Sequence, residues 1–282
     1  MHFPKFWALG SSGHISCWQW SDQSYADAEQ RARESAVRIA KRREAQGAEQ
    51  IRSYEYGQRA LREPIVEEIE GQGSDDQSRA VITRNGYGAL VLNTSQICFV
   101  DIDLPQSDST GGGFTGFIAG LFGKKIAALS AEEKALSNIN TWFLRNPNWG
   151  ARVYRTLGGL RLLITSHVLD PESGETEQVF GELGADPLYC RMCKNQKSFR
   201  ARLTPKPWRA GLENPPGRWP FTDLTSERAF DEWLKKYELI RRQYATCKFI
   251  SEVGSSTLRQ ELPAIIKLHD GECGIATELP LA

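Results

Sequence analysis

Residues 97–104 constrain the fold of this chain most strongly. They read Ile-Cys-Phe-Val-Asp-Ile-Asp-Leu, an apolar run of strand-forming residues that ends in two carboxylates, Asp101 and Asp103. Side chains alternate between the two faces of a β-strand, so both carboxylates are predicted on one face. Neighbouring carboxylates repel each other, and a hard divalent cation relieves that repulsion. We therefore predict a metal site at Asp101 and Asp103. The alternative is that both acids only close a strand and cap the following loop.

Paired strands are predicted on both sides of this segment. Residues 80–84 and 88–93 flank Asn85-Gly86-Tyr87, which is a typical hairpin turn. Residues 151–155 and 160–165 flank a second turn that contains Gly158-Gly159. The acidic strand is therefore predicted to lie in a sheet assembled from hairpins.

Capping residues predict where the helices begin. Ser24 and Ser130 each stand three residues before an acid, and Asp186-Pro187 indicates a basic helix running through Arg202. A long amphipathic helix is predicted after Thr225 or Ser226, and the glycine-rich residues 106–123 are predicted to be a loop. The predicted fold class is α+β, with a mixed, largely antiparallel sheet built from hairpins and helices packed on it.

The chain is expected to contain three regions. Residues 1–79 are predicted to form a hairpin and helix joined to the core, residues 80–250 an α+β catalytic-type core, and residues 251–282 a helix and tail packed on that core.

Composition excludes some partners. Thirty-five Lys and Arg residues balance thirty-five Asp and Glu residues, so a polyanion-binding function must come from local clusters of charge. No stretch approaches the roughly 18 apolar residues of a membrane span. The N-terminus lacks an apolar segment of signal-peptide length. We expect a cytoplasmic protein without membrane association, whose six cysteines are thiols or ligands. The sequence does not identify protein partners.

The strand that ends Phe99-Val100-Asp101-Ile102-Asp103 resembles the first motif of the archaeo-eukaryotic primase superfamily, the primase-polymerase enzymes. The resemblance covers roughly residues 80–210. It implies a primase-polymerase, RRM-like core in which Asp101 and Asp103 bind Mg or Mn. The implied partners are a nucleoside triphosphate and nucleic acid.

The second motif of that superfamily is Ser-x-His on a later strand. The literal match here is Thr165-Ser166-His167, whereas Arg161 follows the glycine turn at the position where a relative often has the histidine. Either His167 is the catalytic histidine, or Arg161 replaces it and keeps the phosphate contact without an acid–base role. An ordinary loop histidine is the alternative for His167.

Two further sets of candidate site residues follow from the sequence. Arg155 and Arg161 flank the second hairpin turn and are candidates to bind the phosphates of a nucleotide, although surface salt bridges are an alternative. The third acid of the superfamily has two candidates, Glu182 and Asp186, and a helix cap also accounts for Asp186.

Residues 200–209 form the best local cluster of basic and aromatic residues. Such a cluster can bind a nucleic-acid backbone and stack a base, although a basic loop with a packed tryptophan is the alternative. The candidate nucleic-acid-binding residues are Arg200, Arg202, Lys206, Trp208 and Arg209.

Zinc is not expected as a cofactor. Cys190 and Cys193 have the spacing of half a zinc site, but Cys247, His269 and Cys273 are far apart in the sequence and provide no second close pair.

The sequence leaves two functions open. One is metal-dependent nucleotidyl transfer of the primase-polymerase type, and the other is non-catalytic binding of nucleic acid or a partner by the same fold.

Overall fold

A computed structural model describes residues 1–46, 60–69, 80–105 and 129–282 of the chain. The described helices are α1 (Tyr25–Gln46), α2 (Ala131–Arg145), α3 (Gly174–Leu183), α4 (Pro187–Gln196), α5 (Leu224–Ile240) and α6 (Leu262–Cys273). The described strands are β1 (Phe6–Ser12), β2 (Ile15–Ser21), β3 (Ile65–Ile69), β4 (Ala80–Arg84), β5 (Leu90–Thr94), β6 (Phe99–Asp103), β7 (Gly150–Thr156), β8 (Gly159–Ile164), β9 (Phe199–Arg202) and β10 (Cys247–Gly254). None of the helices in these ranges is long and apolar enough to cross a membrane.

The described strands form three sheets, and every pairing between these strands is antiparallel. Strands β1 and β2 form a hairpin, and the two four-stranded sheets have the orders β10-β7-β8-β6 and β3-β4-β5-β9. The predicted α+β class is confirmed, with three sheets in place of one. Strand β3 pairs with β4 across the predicted boundary at residue 79, and β10 continues past residue 250.

Both predicted hairpins are present. Strands β4 and β5 pair around the turn at Asn85, and β7 and β8 pair around Gly158-Gly159. Gly159 is required there because a Cβ atom would lie 1.9 Å from the carbonyl oxygen of Ile102. The second turn therefore sits directly against the acidic strand β6.

The predicted helix starts are also present. Ser24 accepts a hydrogen bond from the Asp27 amide, and Ser130 forms a complete capping box with Glu133. Helix α5 begins slightly earlier than predicted, with Asp223 as its cap. The predicted loop at residues 106–123 lies outside the described residues.

The basic helix predicted to reach Arg202 is wrong in its second half. Helix α4 ends at Gln196, and Lys197 follows in a left-handed conformation with φ 51°. The chain then forms β9, in which buried Phe199 and Ala201 alternate with arginines and pair with β5. Pairing with β5 decides the structure of this segment because it satisfies the backbone hydrogen-bonding groups of the strand while Phe199 and Ala201 are buried.

The two four-stranded sheets contribute to one hydrophobic core. Val100 and Ile102 of β6 pack in it together with Ile139 and Phe143 of α2, and Leu92 and Phe199 contribute from the second sheet. Because side chains alternate along β6, the burial of Ile102 places Asp101 and Asp103 on the opposite face. The fold therefore presents both acids on one face of the strand, as the sequence predicts.

Candidate functional site

The acidic strand is neutralised in part by one buried arginine. Asp101 lies directly across from Arg161 of β8. The Arg161 Nε donates to Asp101 Oδ1 at 2.7 Å and its Nη2 donates to Oδ2 at 3.2 Å. Burial lowers the pKa of Arg161, but the carboxylate of Asp101 outweighs burial and the pKa is raised overall. Arg161 therefore stays charged and holds Asp101 in a two-pronged ion pair.

Arg161 has little capacity left for a nucleotide. Its side chain is almost completely buried, and its Nη1 donates to the carbonyl oxygen of Arg202 at 2.9 Å. The nucleotide-binding role predicted for Arg161 is corrected on this ground. The arginine joins β6, β8 and β9 beneath the surface instead of facing a ligand.

Of the two candidates for the third acid, Asp186 is the one that the fold brings close to Asp101 and Asp103. Its backbone amide donates to the carbonyl oxygen of Asp101 at 2.9 Å, and its side chain caps α4. Burial raises the pKa of Asp103, and the charges of Asp186 and Asp101 raise it further. We call Asp101, Asp103 and Asp186 the acidic trio. The other candidate, Glu182, instead accepts hydrogen bonds from Trp142 and Gln178.

The acidic trio is not a closed metal site. Within the described residues, one group of three His, Cys, Asp or Glu side chains has all of its donor atoms within 4.8 Å of one another. None of the three aspartates belongs to that group. Asp101 is also held by Arg161. Binding one divalent ion with all three carboxylates would require them to move closer together, since hard cations bind oxygen ligands at about 2.0–2.6 Å.

Three cations stand beside the acidic trio. Burial lowers the pKa of Lys206, and the positive charges of Arg202 and Arg209 lower it further. Arg209 lies over the glycine turn, because a Cβ atom on Gly158 would be 3.5 Å from its Nη2. Burial also lowers the pKa of Arg202, whose buried Nη1 has no hydrogen-bond partner. These three side chains are close enough to repel one another.

An exposed aromatic ring completes this surface. Trp208 is 50% exposed and lies in the short 3₁₀ helix Pro207–Ala210. Its ring makes an edge contact with Tyr87 at 5.3 Å between centroids, and the Lys206 Nζ lies 5.5 Å from its centre. We call Arg202, Lys206, Trp208 and Arg209 the cationic patch. Tyr87 was not identified from the sequence, since its position beside Trp208 depends on the packing of the first hairpin.

Arg200 does not belong to this surface. It is buried, and its Nη2 donates to both carboxylate oxygens of Glu63 at 2.8 Å. Its Nη1 donates to Gln196 at 2.9 Å. The predicted role of Arg200 in nucleic-acid binding is therefore corrected, because both ends of its guanidinium group are occupied inside the protein.

Arg155 lies on the wrong face to join Arg161. In the register of β7 and β8, Tyr154 stands opposite Arg161 while Arg155 stands opposite Leu160. Adjacent residues of a strand point to opposite faces, so Arg155 reaches Glu132 of α2 and forms an ion pair there. The two arginines predicted to share a phosphate are not brought together.

His167 is also separated from the acids. It follows β8 at the end away from Gly159, and Gly159 is the residue opposite Asp103. Its ring stacks on Trp149 at 3.9 Å between centroids, and its Nδ1 lies 2.6 Å from the Ser166 hydroxyl. The catalytic role predicted for His167 is corrected in favour of a packed histidine at the opposite end of the sheet.

The fold brings together three potential ligands that the sequence had not predicted to form a zinc site, because they are far apart in the chain. Cys247, His269 and Cys273 are buried, and their donor atoms lie within 4.8 Å of one another. A hydrogen bond with Cys273 lowers the pKa of the Cys247 thiol, whereas burial raises the pKa of Cys273. The available signal was the spacing of His269 and Cys273, which places them on one face of a helix.

No protein-family model, curated protein or solved structure matches this chain. The function is therefore inferred from the geometry of the acidic trio, the cationic patch and the buried cysteine and histidine group.

Proposed function

We propose that this protein binds single-stranded nucleic acid at the cationic patch. The observation that carries the proposal is that Arg202, Lys206 and Arg209 are clustered, yet none of them forms a salt bridge with any described residue. Phosphate groups would relieve the repulsion among these cations and release counterions from the nucleic acid.

Other arginines in the fold differ in this respect. Arg84 pairs with Glu238, Arg152 pairs with Glu252 and Asp270, and Arg200 pairs with Glu63. Their charges are satisfied by neighbouring carboxylates. The positive charge of the cationic patch is balanced only in part by Asp103 and Asp101. An external anion is therefore favoured there over the surroundings of Arg84, Arg152 and Arg200.

Trp208 favours an unpaired strand as the ligand. Half of its side chain is accessible, and Tyr87 supports the ring from one edge. Stacking on an aromatic ring requires a base that is not enclosed in a duplex. Such stacking contributes about 1–3 kcal/mol per base and tolerates any sequence. The combination of a half-exposed tryptophan with adjacent cations suits a nucleic-acid strand better than an isolated phosphate.

The proposal is tested by fluorescence anisotropy with a labelled single-stranded oligonucleotide. Lys206→Ala, Arg209→Ala and Trp208→Ala should each weaken binding, with Trp208→Ala losing about 1–3 kcal/mol. Arg155→Ala is the matched arginine control, because Arg155 pairs with Glu132 on the other face of the sheet. Lys235→Ala is the lysine control, since Lys235 is exposed and pairs with Glu232. Equal affinity in the patch variants and the controls would reject the cationic patch as the binding surface.

A second candidate is metal-dependent nucleotidyl transfer, with Mg or Mn held by the acidic trio and a nucleoside triphosphate as substrate. It is favoured by the position of Asp186 beside Asp101 and by the raised pKa of Asp103. A divalent ion would neutralise the crowded carboxylates, while Lys206 and Arg209 would contact the triphosphate.

Titration with Mn²⁺ and a nucleoside triphosphate separates the two candidates. Nucleotidyl transfer predicts metal-dependent nucleotide binding and primer extension, both lost in Asp103→Asn/Asp186→Asn. If the double variant retains oligonucleotide binding and the wild type neither binds Mn²⁺ nor extends a primer, the binding function stands alone.

A further inference from the structure

Two thiols and one imidazole meet at the junction of β10 and α6. Cys247 is the first residue of β10, and His269 and Cys273 are one helical turn apart on α6. All three side chains are buried, and the three donor atoms lie within 4.8 Å of one another. The backbone amide of Thr246 donates to the carbonyl oxygen of Cys273 at 2.9 Å, which fixes the strand against the helix.

The imidazole of His269 is oriented as a ligand would be. Its Nδ1 donates to Asp270 Oδ1 at 2.9 Å, and Asp270 is itself held by Arg152 at 3.0 Å. Its Nε2 is buried and has no hydrogen-bond partner. A histidine that binds a metal through one nitrogen commonly donates the other N–H to a carboxylate. The unsatisfied Nε2 would otherwise carry the cost of a buried polar atom without a partner.

We propose that Cys247, His269 and Cys273 form a site for a divalent transition metal of the zinc class. Thiolate and imidazole are the ligands that zinc selects, and they bind it at about 2.3 Å and 2.0–2.1 Å respectively. With these three residues and a water molecule as the fourth ligand, a tetrahedral site places the protein donor atoms roughly 3.5–4 Å apart, so a small closing movement of the side chains is sufficient. Two thiolates and a neutral imidazole also balance the charge of the ion, which removes the cost of burying it.

The position of this site connects it to the acidic strand. The carbonyl oxygen of Arg202 accepts from Arg161 Nη1 at 2.9 Å, and the Cys273 Sγ lies 3.9 Å from the same oxygen. The metal would therefore join α6 to β10 close to Arg161, the partner of Asp101. Its function would be to hold the C-terminal helix against the sheet that carries the acidic trio.

The test begins with the metal content of the full-length wild-type protein after reconstitution with Zn²⁺ or Co²⁺ and removal of the excess ion. We expect close to one ion per chain. The Co²⁺ form should absorb in the thiolate charge-transfer region and show the intense visible bands of a tetrahedral site. X-ray absorption of the Zn²⁺ form should show sulfur at about 2.3 Å and nitrogen at about 2.0–2.1 Å.

Substitutions identify the ligands. Cys273→Ser and His269→Ala should reduce the bound metal at least tenfold and remove the thermal stabilisation that Zn²⁺ gives the wild type. Cys193→Ser is the matched control, because Cys193 is a buried helical cysteine outside this group.

Three results would overturn the proposal. The first is that the wild-type protein takes up neither Zn²⁺ nor Co²⁺. The second is that Cys193→Ser and Cys273→Ser lose metal to the same extent. The third is that Cys247 and Cys273 form a disulfide in protein purified under reducing conditions. If the ligand variants do not fold, the wild-type cobalt spectrum and the X-ray absorption distances still show whether thiolates and an imidazole bind the metal.

Discussion

At the scale of single residues, Arg161 determines what Asp101 can do. Its guanidinium group is buried and contacts both carboxylate oxygens of Asp101 and the carbonyl oxygen of Arg202. A buried cation is tolerated only while its partner is present, because removing one member leaves an uncompensated charge. Asp101 is therefore first a structural partner of Arg161 and only second a candidate metal ligand.

Asp101→Asn should destabilise the fold. The substitution preserves the shape of the side chain but leaves Arg161 without a counter-charge, at a cost of about 3 kcal/mol. Urea unfolding at neutral pH measures the change. Asp103→Asn on the same strand should lose no stability, since no salt bridge joins Asp103 to any described residue. Equal stability of wild type and Asp101→Asn would contradict the role assigned to the ion pair.

The pH dependence of stability should reveal the raised pKa of Asp103. Its pKa in the folded protein is raised above the ordinary value of 3.8, first by burial and then by Asp186 and Asp101. The folded state therefore holds this proton more tightly than the unfolded state does, and stability is lost as pH rises from 3.8 through the raised pKa. Asp103→Asn should exceed the wild type in stability at pH 7, and the difference should vanish below the ordinary pKa. A constant difference across this pH range would contradict the prediction.

At the scale of elements, the turn between β7 and β8 shapes the site. Gly159 lies so close to β6 that a Cβ atom would overlap the Ile102 carbonyl oxygen. Gly158, its neighbour, faces only the guanidinium group of Arg209 at 3.5 Å. The two glycines therefore have different structural requirements even though they are adjacent in the sequence.

Gly159→Ala should destabilise the protein by about 1–3 kcal/mol through overpacking against β6. Gly158→Ala should remain close to the wild type in unfolding free energy, because the long side chain of Arg209 can move aside. Thermal and urea unfolding of both variants provide the comparison. Similar losses at both positions would show that turn geometry, rather than contact with β6, determines the effect.

Asp186 combines two roles that substitutions can separate. Its carboxylate accepts hydrogen bonds from the amides of Leu188 and Tyr189 at the start of α4. Asp186→Ala should cost about 0.5–2 kcal/mol, whereas Asp186→Asn retains a good cap and should cost much less. Unfolding measurements establish this difference. Asp186→Asn then serves as the variant that removes charge from the acidic trio while preserving the fold.

Local patterns predicted much of this element structure. Turn residues identified both hairpins, and capping residues identified α1, α2 and α4. The end of α4 was missed because its basic residues continue into β9. The decisive feature there is pairing with β5, a strand more than a hundred residues earlier in the chain. Long-range pairing of this kind leaves little trace in local composition.

At the scale of the whole molecule, the candidate site is assembled from distant segments. The sequence predicted Asp101, Asp103, Lys206, Trp208 and Arg209 as functional candidates, and the fold places these residues around one surface. The sequence did not separate the partly buried cations that lack an ion pair from the arginines that are paired inside the protein. That distinction depends on which carboxylates the packing brings near each arginine.

The histidines show the same limit. His167 matches a short motif but packs on Trp149 at the far end of the sheet. His269 has no motif of its own, yet the docking of α6 on β10 brings it to two cysteines. A short local motif indicated His167, whereas tertiary packing determined the surroundings of both His167 and His269.

The salt dependence of oligonucleotide affinity tests the central proposal most directly. The logarithm of the association constant should fall linearly with the logarithm of salt concentration for the wild type. The magnitude of the slope should decrease by about 0.7 in Arg209→Ala, corresponding to one lost phosphate contact with a single strand. Arg155→Ala should retain the wild-type slope. An unchanged slope in Arg209→Ala, or an equal decrease in Arg155→Ala, would contradict nucleic-acid binding at the cationic patch.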